Sequence, residues 1–251
     1  MIIIIPLGGI GKRFSELGYT DPKPLIKVLG KEIIFWVLDN LKINDTDKVY
    51  IVYNKDLDNF HFTDHFGRYP YLNFLRLNRK TQGPVETIYE VTKILEKNSK
   101  NKGILIVDGD TFYKRDIIKK IDKKNNTIFY HKTKIKEPIF SYIKIKNKKI
   151  IEIAEKKKIS SNANTGAYYF NNIKIFNYYA KKCLKKNKKT FVSDIFGELL
   201  KNQQPVYSEI LKETEFACLG TPKQVIEFSR QKKIEKKRFC FDLDNTLVTL
   251  P

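Results

Sequence analysis

The sequence predicts an α/β fold built on a doubly wound, mainly parallel (mixed) sheet, and three observations carry that expectation. The short apolar runs Ile2-Ile3-Ile4-Ile5 and Ile104-Leu105-Ile106-Val107 suit strands buried on both faces. Segments with helical period alternate with such strands along the first half of the chain. Both runs lead into loop signals, Gly8-Gly9-Ile10-Gly11 and Asp108-Gly109-Asp110, at the carboxyl ends where open α/β sheets hold ligands.

In chain order, residues 2–5 form the first strand, and a loop with three glycines in four residues follows. Glycine lets that backbone come close to a ligand and aim its N–H groups at phosphate oxygens. Lys12 and Arg13 add cations at its end, and residues 14–17 can open a helix whose dipole favours an anion. Lys23 lies between Pro22 and Pro24, whose fixed φ angles stiffen the backbone carrying its ammonium. Residues 31–41 read as a helix with Ile34, Trp36, Val37, Leu38 and Leu41 giving an apolar face, 49–53 as a strand, 59–71 as loop and short helix, and 71–77 as a strand. Gly83-Pro84 precedes a helix over 85–95, and 103–107 is the next buried strand. The middle is richer in β signals: 127–131, 139–145 and 150–153, with a turn at Asn147-Lys148, then 167–170. Residues 173–184 and 193–200 read as helices, 205–210 as a strand, and 222–236 as a terminal helix with Pro222 at its start.

The 251 residues, 41% hydrophobic, suffice for a sizeable globular core. No run is long enough for a membrane span, and the N-terminal isoleucines have no cleavage site after them, so the expectation is a cytoplasmic protein with no membrane partner. Cys183, Cys218 and Cys240 have no metal-site spacing and form an odd set, which fits a reducing compartment. The formal charge of +20 raises nucleic-acid binding. The lysines are dispersed along the chain, as at Lys119-Lys120, Lys148-Lys149 and Lys185-Lys186, which favours attraction for small polyanions such as nucleoside triphosphates instead.

The glycine loop matches neither the Rossmann dinucleotide fingerprint nor a Walker loop. The whole string from Ile2 through Gly8-Gly9-Ile10-Gly11-Lys12-Arg13-Phe14 to Pro22-Lys23-Pro24-Leu25-Ile26 resembles the signature of the sugar-phosphate nucleotidylyltransferase superfamily. The resemblance implies a fold of the nucleotide-diphospho-sugar transferase type over residues 1–236. It implies nucleotide contacts from Leu7, Gly8, Gly9, Gly11, Lys12, Arg13, Gln82, Gly83 and Asp108, with Thr81 to Thr87 standing where the family reads the base. Arg13, Lys23 and Lys156 become catalytic candidates and Asp110 the ligand of Mg²⁺, a hard cation suited to one or two carboxylates plus substrate phosphates. Glu155-Lys156 resembles the family's Glu-Lys pair, which implies that Glu155 touches the acceptor and that Lys156 holds its phosphate. Thr165 and Gly166, in Asn164-Thr165-Gly166-Ala167-Tyr168-Tyr169-Phe170, and Asp194 complete the acceptor-binding candidates.

Two features depart from the pattern. Phe216-Ala217-Cys218-Leu219-Gly220-Thr221-Pro222 resembles a family segment in which many members carry a second metal-binding Asp where this chain has Cys218. A neutral thiol is a poor Mg²⁺ ligand, and Cys218 motivates an alternative reading as a non-catalytic nucleotide-binding protein. In the tail 237–251, Phe241-Asp242-Leu243-Asp244-Asn245-Thr246 resembles the first motif of haloacid dehalogenase-type phosphatases, without the rest of that domain. The motif form around Lys23 and this tail resemble nucleotidyltransferases of capsule and surface-polysaccharide synthesis. The expected reaction transfers a nucleotidyl group to a small phosphorylated acceptor and releases pyrophosphate. CTP is the first choice because the chain is short and has no long β-helix or sugar-binding insert. The acceptor alternatives are a non-sugar phosphate such as glutamine phosphate, and a sugar 1-phosphate used with UTP, GTP or dTTP.

Overall fold

The protein is described by a computed structural model that covers residues 1–9, 11–99, 102–186 and 189–231. The phosphatase-like motif with Asp242 and Asp244, and the end of the expected terminal helix, lie outside the described residues. The elements are β1 (Ile2–Leu7), α1 (Lys12–Ser15), β2 (Lys27–Val28), β3 (Lys31–Glu32), α2 (Ile33–Asn40), β4 (Lys48–Asn54), β5 (Leu72–Leu77), α3 (Pro84–Leu95), β6 (Ile104–Val107) and β7 (Thr111–Tyr113). They continue with β8 (Asn126–Lys132), β9 (Ser141–Lys146), β10 (Lys149–Glu155), β11 (Asn162–Phe170), α4 (Ile173–Lys186), α5 (Val192–Lys201), β12 (Val206–Ile210), β13 (Phe216–Cys218) and α6 (Pro222–Gln231).

Nine strands form one mixed sheet in the order β5-β4-β1-β6-β11-β8-β12-β10-β9. The left half, β5-β4-β1-β6, is all parallel. β11 runs antiparallel to β6 and β8, and β10 antiparallel to β12 and β9. The isoleucine run builds the centre because side chains on a strand alternate between faces. Ile3, Ile5 and Leu7 enter a core with α2 and α6 residues such as Ile34 and Phe228. Ile2 and Ile4 enter the opposite core with Ile88, Phe176 and Phe196 from α3, α4 and α5. All four isoleucines are buried, and each contributes about 1.5–3 kcal/mol by leaving water. β1 is flanked by β4 and β6, so the chain order reverses beside it, and a crevice opens at this switch point.

Several boundaries differ from the sequence-based expectation. Lys31 and Glu32 pair back on Val28 and Lys27 as a small hairpin, so the helix begins at Ile33. Ile139 is half exposed in a turn closed by its N–H on the Glu137 carbonyl, and the strand begins at Ser141. β11 starts at Asn162, well before Ala167, so the Asn-Thr-Gly stretch is itself a strand whose register on β8 shifts between Asn164 and Tyr168. The pairing of β7 with β13, Cys218 opposite Thr111, was not expected at all.

α4 and α5 are joined through the buried Glu198, which lies within 3.6 Å of Lys182, Lys186 and Lys201. The hydrogen bond from Lys201 outweighs desolvation and, with Lys182, holds the Glu198 pKa down to about 2 from 4.5. A depressed carboxylate stabilises the fold above its unfolded value of 4.5, and that contribution is lost as the pH falls toward 2. The lysines are partly exposed, so screening reduces the effect to about 1–2 kcal/mol. Denaturant unfolding of Glu198→Gln is expected to show that deficit at pH 7, with the gap to wild type narrowing steadily as the pH is lowered through 4.

Candidate active site

A single open cleft of about 1340 Å³ runs across the carboxyl ends of β1 and β6 and on toward the end of β10. At one end Gly8, Gly9 and Arg13 face Thr81, Gln82 and Gly83 at the start of α3; Asp108, Asp110 and Lys23 form the middle; Glu155, Thr165, Gly166 and Ser193 line the far end. Residues far apart in sequence therefore share one cavity.

Lys23 opens a short 3-10 turn, Lys23–Leu25, entered from Pro22 at φ −65° and ψ 145°. Its ammonium is hydrogen-bonded and ion-paired to Asp110 Oδ2, with a quarter of the lysine side chain exposed. Burial opposes the Lys23 charge, but the charge and hydrogen bond of Asp110, with Cys218 and Asp108 behind, raise its pKa above the ordinary lysine value. Gly11 makes the approach possible: at φ +71° it is left-handed, and a Cβ there would stand 2.8 Å from Lys23 Cβ.

The carboxylates are held by backbone. Asp108 N–H donates to the Gly166 carbonyl at 2.8 Å, and Leu219 N–H donates to the Asp110 carbonyl at 2.7 Å. The β7–β13 pairing thus clips Cys218 beside Asp110. Burial, then the charge of Asp110, drives the Asp108 carboxyl well above the usual carboxylate range. Burial and Asp110 likewise push the Cys218 thiol up to about 11, and it donates to Gln224 Oε1 at 3.5 Å. Among the described residues no cluster of three or more His, Cys, Asp or Glu is arranged for a metal. Two crowded carboxylates against one lysine leave room for further positive charge, and their oxygen donors suit a hard cation that takes its remaining ligands from phosphates and water. The residues present therefore fit Mg²⁺ on Asp110, whereas the thiol of Cys218 is a soft donor poorly suited to it.

At the far end, Glu155 closes β10 and its Oε2 accepts from Ser141 Oγ and, at 2.8 Å, from Ser193 Oγ. Asn164 lines the same wall with both amide atoms buried and without a hydrogen-bond partner among the described residues. The Thr165 hydroxyl turns away to the Phe129 carbonyl, while its own carbonyl accepts from Tyr113.

Several candidates stand elsewhere than expected. Leu7 is buried in the core, its side chain packed with Ile5. Lys12 points to solvent and lies 3.5 Å from Glu16, because α1 turns it away from the cleft. Gly11 lies under Lys23 and does not line the cavity. Asp194 caps its own helix, accepting from Phe191 N–H at 2.7 Å, and faces a small cavity of about 190 Å³ behind Glu155. Lys156 is exposed at the rim, left-handed at φ +50°, with its N–H on the Phe140 carbonyl and its ammonium over the Phe191 ring; that conformation costs a non-glycine residue about 1–2 kcal/mol. Sequence reasoning missed Asn164, Ser141 and Ser193 as site residues, and Lys189 and Phe191 altogether. The Glu-Lys and Ser-Asp motifs neighbour several of them, but only pairing across strands brings them together.

The mixed α/β sheet, with charged side chains gathered at its switch point, is shared with solved structures. The solved nucleoside-diphosphate-sugar pyrophosphorylase from Vibrio cholerae RC9 is similar, with a TM-score of 0.79 and 20% identity over 92% of this chain and 100% of that one. The chain belongs to the nucleotidyl transferase family, whose model matches residues 2–235. Two bifunctional proteins named GlmU are similar to it. That of Methanocaldococcus jannaschii is 25% identical over 209 residues, 81% of this chain and 48% of the relative. That of Methanococcus maripaludis is 25% identical over 178 residues, 68% of this chain and 40% of the relative. The chain therefore spans less than half the length of each of these two relatives.

Gly166 sits at φ +88°, and a Cβ there would lie 2.5 Å from Asp108 Oδ2. Gly166→Ala must therefore strain the backbone and displace Asp108 together. The expected outcome is a loss of about 1–3 kcal/mol in denaturant unfolding, with weakened triphosphate binding in the same preparation. Wild-type stability and binding would show that the Gly166–Asp108 contact is not a constraint.

Proposed function

We propose that this chain transfers a nucleotidyl group, CMP from CTP in the first instance, to a small phosphorylated acceptor and releases pyrophosphate. The observation that carries the reading is the Lys23–Asp110 pair at the middle of one cleft, with a glycine loop and Arg13 on one side and Glu155 on the other. Arg13 has no carboxylate partner among the described residues, so its guanidinium is available to triphosphate oxygens. The backbone at Gly8 and Gly9 can come close to the same phosphates. Thr81 to Gly83, at the start of α3, provide the polar edge that reads the base.

In the reaction an acceptor phosphate oxygen attacks the α-phosphorus, the bond from that phosphorus to the bridging oxygen breaks, and pyrophosphate leaves with the bonding pair. Charge grows on the transferring phosphoryl oxygens, and the stiffly mounted Lys23 offsets it without reorganisation. Mg²⁺, held by Asp110 and the phosphates, would supply Lewis-acid charge neutralisation. Glu155, fixed by two serine hydroxyls, and the unpartnered amide of Asn164 would orient hydroxyl or amine groups of the acceptor. Lys156, from the rim, would meet its phosphate.

The preference for CTP comes from the sequence alone, and the form of the Pro22-Lys23-Pro24 motif supports only the likeness to nucleotidyltransferases of capsule and surface-polysaccharide synthesis. A sugar 1-phosphate acceptor is the second reading, favoured by the nucleoside-diphosphate-sugar chemistry in the name of the Vibrio structure. The test measures pyrophosphate release with Mg²⁺ for CTP, UTP, GTP, ATP and dTTP against pooled sugar 1-phosphates, phosphocholine and phosphoamino acids. Release with CTP and one pool supports the reading. Triphosphate binding without release under every acceptor would establish the non-catalytic alternative that Cys218 motivates. Lys23→Ala is expected to lower kcat by about 10²–10³, the range for losing one preorganised donor; near-wild-type turnover would remove Lys23 from the chemistry.

A further inference from the structure

Two lysines share one aromatic ring at the acceptor end. Lys156 Nζ lies 5.2 Å and Lys189 Nζ 5.3 Å from the centroid of Phe191. Neither lysine makes an ion pair with a carboxylate among the described residues, whereas Glu198 alone collects three lysines. Both are exposed, and Lys189 and Phe191 line the cleft. Like charges repel, so two ammoniums over one ring need something to hold them there. The face of an aromatic ring carries negative potential and attracts both cations.

The backbone that carries the ring is anchored. Phe191 N–H donates to Asp194 Oδ2, and Asp194 N–H donates back to the Phe191 carbonyl at 3.0 Å. Thr190 is buried and its carbonyl accepts from Val85 N–H at 3.4 Å, so the segment is tied to the start of α3. Two residues further on, Ser193 Oγ holds Glu155. The left-handed turn at Lys156, fixed by the Phe140 carbonyl, brings the second ammonium over the ring from the end of β10.

We propose that Phe191 is a positioning residue that presents Lys156 and Lys189 as a two-cation clamp, that Lys189 is a further acceptor-binding residue, and that the clamp selects acceptors bearing a phosphate monoester dianion. This rests on the nucleotidyl-transfer reading for its biological meaning but not for its physical content. A dianion between two ammoniums relieves their repulsion and makes two charge-assisted contacts, whereas a monoanion balances only one of them.

The test uses the full chain, ¹⁵N-labelled, titrated at pH 7.5 with inorganic phosphate and, separately, with methyl sulfate as a monoanion. Amide shifts of Val192 and Ser193 follow occupancy at the clamp. Two exposed cation–π contacts of ordinary strength set the scale, so Phe191→Leu is expected to weaken phosphate binding about 10-fold, Phe191→Tyr to restore it, and Lys189→Met to weaken it about 10-fold or more. Wild type should bind phosphate about 10-fold more tightly than methyl sulfate. Once an acceptor is found by pyrophosphate release, Phe191→Leu should raise its KM more than it lowers kcat, with the KM for the triphosphate unmoved. The clamp is overturned if wild type shows no phosphate-dependent shift at Val192 and Ser193, if Phe191→Leu and Phe191→Tyr behave alike, or if phosphate and methyl sulfate bind equally. Phosphate binding that follows these variants, in a protein that releases no pyrophosphate under any acceptor, would leave the clamp standing and sink the transfer reading. Robust transfer with a Phe191→Leu acceptor KM equal to wild type would do the opposite.

Discussion

The ion pair between Lys23 and Asp110 is the constraint on which the rest of the site depends. It joins residues 87 positions apart, one on a proline-bounded turn and one on the loop leaving β6. A salt bridge at a surface is worth little. This one draws its weight from position, because it fixes the N-terminal loop against the carboxylate loop across the switch point. Gly11 must be glycine for the two to approach, Gly166 must be glycine for Asp108 to lie beside them, and the β7–β13 strand pair braces Asp110 from behind. The cleft is thus assembled by backbone constraints at three places, Gly11, Gly166 and the β7–β13 pair.

The charge of the chain makes sense on the same terms. A +20 protein could spread its potential uniformly, yet many lysines pair locally, as around Glu198 and Asp39. Arg13, Lys156 and Lys189 have no carboxylate partner among the described residues, and all three stand at the cleft or on its rim. Lys114 and Lys134 also line the cleft without a carboxylate partner among the described residues, and a low-dielectric cleft focuses such a positive field on polyanions. Dispersed lysines elsewhere raise encounter rates without conferring specificity.

Much of this was legible in the sequence. The isoleucine run announced a doubly buried strand because β-branched residues with no polar interruption fit only a sheet centre. The Pro-Lys-Pro and Asp-Gly-Asp segments marked Lys23 and Asp110 as charged candidates, but that the two pair is seen only in the structure. The acceptor wall was harder to read. Asn164, Ser141 and Ser193 are ordinary polar residues whose meaning arises only when β9, β10, β11 and the start of α5 converge on Glu155. Lys12 and Asp194 each stand beside a motif, but the helical turn that follows turns Lys12 to solvent and makes Asp194 a cap. Nothing in a lysine-rich sequence marks Lys189 above its neighbours until the Phe191 ring is seen under it.

Cys218 then takes on a definite physical sense. It stands beside Asp110, and burial together with that carboxylate keeps its thiol protonated. A third carboxylate at this point would face Asp108, Asp110 and Lys23 at once, and the surplus negative charge would need a second cation to remain buried. With a neutral thiol the floor of the cleft holds one ion pair and an Asp108 whose own ionisation is opposed by burial. Such a floor opposes a nearby polyanion less than an ionised triad would.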